Sequence, residues 1–199
     1  MTQDMNRLLD SSEASSAINA AWRAIAHSNG WGFCLLAGGI ASAIVYPHAP
    51  LAAFAAMAGV SLPRQRAIAL IGILWLVNQG LGFWMRDYPL TGISFGWGAV
   101  MGSGALLAAV LASWRPGFSQ RSWAGYLGWG AIAIFGSFAV YQGLIVAVFP
   151  VLAAGHGMDA ALVARLLGTH LRWVGAIAPV YALLLFLSHR QQQGKTPAI

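Results

Sequence analysis

Charge is scarce in this sequence. Among 199 residues only 8% are Asp, Glu, Lys or Arg, whereas a soluble domain carries about 25% to keep its surface hydrated. So few charges cannot cover a water-facing surface. That excludes an ordinary soluble enzyme or binding domain and leaves lipid as the solvent for much of the exterior. Acids are scarcer still: five Asp and Glu stand against eleven Lys and Arg, for a formal net charge of +6. In a soluble chain that excess would point to nucleic acid. In a membrane chain it marks basic residues held on the cytoplasmic side, so nucleic acid is not an expected partner.

Cysteine is nearly absent. Cys34 has no second cysteine to pair with, which excludes an intramolecular disulfide and a cysteine-based zinc site. Its place in an apolar run predicts a buried structural thiol. The clustered histidines and carboxylates that a metal transporter needs are missing. A haem subunit needs facing histidines inside the bilayer, and only His170 falls well inside a predicted span. No nucleotide-binding loop occurs, so any use of ATP falls to a partner. Gly92-Ile93-Ser94-Phe95-Gly96 matches the nucleophile-elbow pattern, but that motif requires a strand-to-helix turn. In a chain with 24 glycines, chance explains the match better. No catalytic residue, cofactor or metal is expected, and the chain does not read as an enzyme.

What is abundant is apolar sequence. Hydrophobic residues make up 58% of the chain and the mean hydropathy is +0.67. Six apolar stretches run from Trp31 to Tyr46, Ala49 to Leu62, Ala67 to Met85, Leu90 to Trp114, Ser122 to Phe149 and Ala160 to Ser188. They predict an all-α, polytopic bundle of about six transmembrane helices over residues 30–189. A spanning helix needs roughly 20 apolar residues, which the last four stretches supply. The first two are short and are separated by Tyr46-Pro47-His48-Ala49-Pro50, whose prolines break a helix. They read either as two spans with a tight turn or as one span and a re-entrant segment. Residues 1–29 form a polar N-terminal region. Ile18, Trp22, Ile25 and Ala26 there fall near helical spacing, as in a helix lying on the membrane surface, with a frayed tail as the alternative. The first apolar run reads as a retained signal anchor, although Ala41-Ser42-Ala43 resembles a cleavage site. Residues 190–199 form a polar tail.

Charge placement orients the bundle. With both termini cytoplasmic, Arg7, Arg23, Arg64, Arg66, Arg115, Arg121, Arg190 and Lys195 all fall inside. Arg86 alone falls in an outer turn, and Arg165 and Arg172 fall in the outer half of the last helix. This is the positive-inside pattern of a multi-pass protein of a bacterial inner membrane.

Polar groups at membrane depth are functional candidates, because lipid cannot satisfy them. Asn78 and Gln79 lie midway along the third helix and point about 100° apart, which suits one to a ligand and the other to a neighbouring helix, or both to holding helices together. Arg86, Asp87, Tyr88 and Pro89 form the outer turn that follows, either part of a site or a surface ion pair at a helix end. Arg165, Thr169 and Arg172 share a face of the last helix, with His170 beside them. These groups predict an outward-facing pocket with an arginine row, amides and aromatics, capped by His48 and His156, for a small anionic or aromatic molecule. Small residues recur at helical spacing in Ala37 and Ala41, Gly38 and Ser42, Gly39 and Ala43, and Gly98, Gly102 and Ala105, where helices can pack closely.

A chain of about 200 residues resembles the substrate-binding S-component of energy-coupling-factor vitamin transporters in several respects. It has six predicted helices with both ends inside, an Ala37-xxx-Ala41 face on the first helix, and polar residues gathered at the outer ends. The resemblance implies capture of a vitamin-like molecule from outside and its uptake through the bilayer. It also implies coupling to a membrane subunit with ATPases, contacted through Ala37 and Ala41. The rival expectation is a non-transporting membrane subunit or assembly factor of a larger complex, which explains the small-residue faces but not the arginine row.

Overall fold

The computed structural model describes residues 16–153 and 158–193. Arg7, Lys195 and His156 lie outside them. All regular structure among the described residues is helical: α1 (Ser16–Ala26), α2 (Asn29–Val45), α3 (Leu51–Ser61), α4 (Arg64–Met85), α5 (Gly92–Ala112), α6 (Trp123–Leu152) and α7 (Ala160–Gln193), with a short 3-10 turn at Gly117–Gln120. The breaks follow local chemistry. Pro47 follows the end of α2, Pro50 precedes α3 and Pro63 precedes α4. Thr91 and Ser122 cap α5 and α6, their hydroxyls accepting the Ser94 and Gly125 N–H at 3.3 and 3.0 Å, as side chains at helix starts commonly do.

Four helices, α4 to α7, are long and apolar enough to cross a bilayer. The count is five if α1 and α2, bent by 62° at their junction, form one span. The molecule is thus a bundle of apolar membrane helices. Phe33, Leu76, Trp84, Leu127, Phe135, Val151 and Leu183 are exposed on its outside, as in a protein whose outer solvent is lipid.

α3 occupies the middle. Its 11 residues are about 16 Å long at 1.5 Å per residue, well short of the roughly 30 Å hydrocarbon core. Every one of those residues is buried, enclosed by α2, α4, α5, α6 and α7. The sequence of α3 permits this because it is mostly alanine and glycine, so the surrounding backbones come close. A Cβ placed on Gly59 would lie 2.5 Å from the Ala112 Cβ and 2.8 Å from the Ala109 carbonyl oxygen. Successive helices run up and down. Trp31, at the start of α2, donates from Nε1 to Ser61 Oγ at the end of α3 (2.8 Å), and Arg66, at the start of α4, donates to His27 O (3.2 Å).

α1 closes the end at which α3 terminates. Ile18, Ala21, Ile25 and Ala26 are buried against the bundle. Trp22 Nε1 donates to Val60 O at 3.0 Å, satisfying one of the carbonyls left free at the C-terminus of α3. Arg115 holds the same helix from the other side, donating to Asn19 Oδ1 at 3.2 Å with its guanidinium 4.0 Å from the Trp22 ring centroid. Burial lowers the pKa of this guanidinium, partly offset by Tyr126 and Tyr181. The hydrogen bond and the aromatic face compensate a cation short of water.

One expectation fails. Cys34, expected to be buried, is exposed. The inward face of α2 is the row Trp31, Leu35, Gly39 and Ser42, spaced at three and four residues, which leaves Cys34 on the outer face beside Ala37 and Ala41. An apolar run alone does not say which side of a helix is covered.

Candidate functional site

Because α3 is short, something other than helix must fill the bundle beyond its first residue. The chain there is the non-helical Pro47–Pro50 segment, which lines a cavity of about 550 Å³. Irregular backbone at membrane depth is tolerated only where protein covers it or where it borders such a space. Residues of α4 to α7, with Ala52 of α3 and Tyr88, Pro89 and Met158 between helices, form the remaining walls, so the cavity sits at the N-terminal end of the central helix. That end carries the positive pole of the helix dipole and has no side-chain cap.

The walls combine aromatic surface with a few uncharged polar groups. Trp97, Phe138, Tyr141 and Phe149 supply rings. Asn78, 5% exposed, follows Ala67, Ile71 and Leu74 on the buried face of α4, and its Oδ1 has no hydrogen-bond partner. His170, 2% exposed, places Nε2 3.2 Å from Ile134 O and its ring 5.3 Å from Phe138, while Nδ1 has no partner. Gln142 is buried and donates from Nε2 to Met158 Sδ at 3.0 Å. Gln79 also lines the cavity, its amide lying against Gly98, where a Cβ would stand 2.6 Å from Oε1. Buried polar atoms are normally paired, so Asn78 Oδ1 on α4 and His170 Nδ1 on α7, unpaired atoms of residues that line the cavity, are the chemical signature of this site.

The structure brings some of the expected residues together and separates others. Asn78, Gln79, Tyr88, Thr169 and His170 line the cavity, as does His48. Arg86 does not. Its Nη2 donates to the carbonyls of Ala43, Ile44 (3.4 Å) and Tyr46 (3.2 Å), so it caps the C-terminal end of α2, where carbonyls lack partners and a cation is favoured. Asp87 is exposed and takes a left-handed φ of 52°, which Asp tolerates better than most residues. The chain then turns back so that Tyr88 N donates to Gly82 O at 3.1 Å and the Tyr88 ring covers Gly82, where a Cβ would stand 2.8 Å away.

Arg165 and Arg172 are exposed and lie outside the cavity lining. They share a face as their spacing predicts, and Arg172 Nη2 donates to Thr169 Oγ1 at 2.9 Å. But α7 turns His170, Val174, Tyr181 and Leu185 inward, and Arg172 stands about 200° round the helix from His170 at 100° per residue. Ala37 and Ala41 lie exposed on the outer face of α2.

Sequence reading placed His48 at the pocket but missed Gln142, Trp97, Tyr141 and the wall that Pro47, Ala49 and Pro50 form beside it. Gln142 carried the same signal as Asn78, an amide inside an apolar helix. The cavity wall had no such signal, because it exists only through the shortness of α3. Among the described residues no group of three His, Cys, Asp or Glu side chains is placed to hold a metal ion. No protein-family model matches the chain, and neither a curated protein nor a solved structure matches it.

Proposed function

We propose that this protein binds a small organic molecule in the cavity above α3 and takes it up across the membrane. The observation that carries the reading is a space of about 550 Å³ lined by aromatic rings and by Asn78, whose buried Oδ1 has no partner. Ligand sites commonly measure about 300–1,000 Å³ and join apolar walls to a few placed polar groups. A buried amide without a partner is a cost to folding, which a ligand would offset.

Orientation follows from charge. Arg23, Arg64, Arg66, Arg115, Arg121 and Arg190 belong to the end closed by α1, and the cavity lies toward the other. The positive-inside rule makes the arginine end cytoplasmic, so the cavity faces outward. α3 together with its non-helical Pro47–Pro50 lead counts as one pass, which gives six passes with both termini inside, in a bacterial inner membrane. This layout keeps the likeness to vitamin-binding S-components as a working hypothesis, with ATP hydrolysis supplied by a partner.

A second reading is favoured by one feature. The outer face of α2 exposes Phe33, Cys34, Ala37, Ala41, Ile44 and Val45, a smooth apolar surface suited to another membrane subunit. The chain would then be a structural subunit or assembly factor.

Native mass spectrometry of the detergent-purified chain, followed by an uptake assay, separates the two. A small organic mass retained by wild type, lost from Asn78→Leu and Gln142→Leu, and accumulated by cells expressing wild type supports uptake. Absence of both a retained mass and uptake, with stable association to a larger complex, moves the protein to the second reading.

A further inference from the structure

Resting on the uptake reading, we infer that the ligand is an uncharged, planar aromatic molecule that presents hydrogen-bond donors, such as a ring N–H or a primary amide, to Asn78 and His170. The sequence alone had pointed toward an anionic or aromatic ligand on the strength of its arginines. With the arginines outside the cavity, the charge argument changes.

No Asp, Glu, Lys or Arg is among the described residues that line the cavity. A charged ligand would therefore enter a low-dielectric space without a counter-ion, at a cost that rises steeply in the absence of pairing. The unpaired atoms sharpen this. Asn78 Oδ1 is an acceptor. With the His170 Nε2 hydrogen directed at Ile134 O, the neutral ring leaves Nδ1 as an acceptor as well. Both atoms are covered by protein, and a small turn of either side chain brings an acceptor to the cavity, where it repels an anion and calls for a donor. The uncapped start of α3, whose N-cap is Pro50, favours a partial negative charge such as a carbonyl oxygen without requiring a full one. Trp97, Phe138, Tyr141 and Phe149 suit a flat ring system by stacking. Donors and a carbonyl on one flat, neutral molecule describe a carboxamide, a lactam or a related heterocycle.

The test varies the ligand before the protein, so that no variant has to fold. Naphthalene-2-carboxamide, its N,N-dimethyl derivative and naphthalene-2-carboxylate share a ring and differ only in donors and charge. The same trio is made on indole. Binding of each to the full chain in detergent is measured by titration calorimetry. The primary amides are expected to bind at least tenfold more tightly than either relative, and Asn78→Leu and His170→Phe should shrink that preference to within about threefold. Losing one bond to a buried polar group commonly costs about tenfold. Equal or tighter binding of the carboxylates, or of the dimethyl amides, overturns the inference and leaves uptake standing. Failure of every probe to bind, while a co-purified molecule is still retained, overturns it in the same way. If no molecule is retained and no uptake occurs, the uptake reading itself fails.

Discussion

At Gly59 a missing side chain sets the distance between α3 and α5. Adding a branched side chain there forces Ala112 and the Ala109 carbonyl apart, and overpacking of this kind costs about 1–3 kcal/mol. Gly59→Val should lower the melting temperature in detergent, whereas Gly72→Ala, where a Cβ meets nothing within 4 Å, should leave it unchanged or raise it slightly. Asn78 and Arg86 invite opposite expectations. Arg86→Ala strands the last carbonyls of α2, and hydrogen bonds to charged groups contribute about 1.5–3 kcal/mol, so its melting temperature should drop while ligand retention persists. Asn78→Leu removes a buried atom without a partner and should melt no lower than wild type while losing ligand. Loss of ligand in Arg86→Ala at unchanged stability would return Arg86 to the binding site. At this scale the sequence was half legible. Depth in an apolar helix singled out Asn78, since lipid cannot satisfy an amide. The acid–base pair in the outer turn singled out Arg86, whose partners lie about 40 residues away at the end of α2 and are visible only after folding.

Among the elements, α1 and α3 act as a pair. α1 covers the C-terminal carbonyls of α3 through Trp22, and Arg115 clamps it from the α5 side. If that clamp is what holds α1, Trp22→Phe combined with Arg115→Gln should free the helix and leave the spans intact. Hydrogen exchange read by mass spectrometry should then rise at least tenfold over Ser16–Ala26, with α4 to α6 unchanged, since a segment held by few interactions opens locally while the rest stays folded. Unchanged exchange in α1 would show that its other contacts, the buried Ile18, Ala21 and Ile25 and the Arg66 bond to Ala26 O among them, suffice to hold it. The elements were largely readable from composition and proline position. The spacing of Ile18, Ile25 and Ala26 fitted a surface helix as well as a frayed tail, and Pro47 and Pro50 marked the break before α3. The enclosure of α3 was not readable, because an alanine-rich stretch looks the same facing lipid as facing five other helices. The arginine row of α7 failed for a related reason. A shared face is fixed by spacing, but which face turns inward is set by neighbours.

For the whole molecule, the decisive quantity is sidedness. In a Cys34→Ser background, Asp87→Cys lies in the exposed α4–α5 turn on the cavity side, and Arg121→Cys lies near the arginine-rich end. A membrane-impermeant maleimide applied to intact cells should label the first and spare the second until the membrane is opened. The reverse pattern would invert the orientation and turn the cavity toward the cytoplasm. The membrane class was fully legible, since 8% charge leaves no other solvent for the surface. The number of passes was not, because α3 is too short to be counted by length.

The enclosure of α3 also bears on how the protein is made. The ribosome delivers α3 before α5, α6 and α7, three of the helices that surround it. Until they arrive, its eleven residues have no finished compartment, and they are too few to settle across the bilayer alone. The segment must wait at the edge of the insertion machinery or lie shallowly in the membrane, and take its central place only when the last helix closes around it. Nascent chains ending after α4 should therefore be open to cellular proteases at α3, and protection should appear only once α7 has emerged.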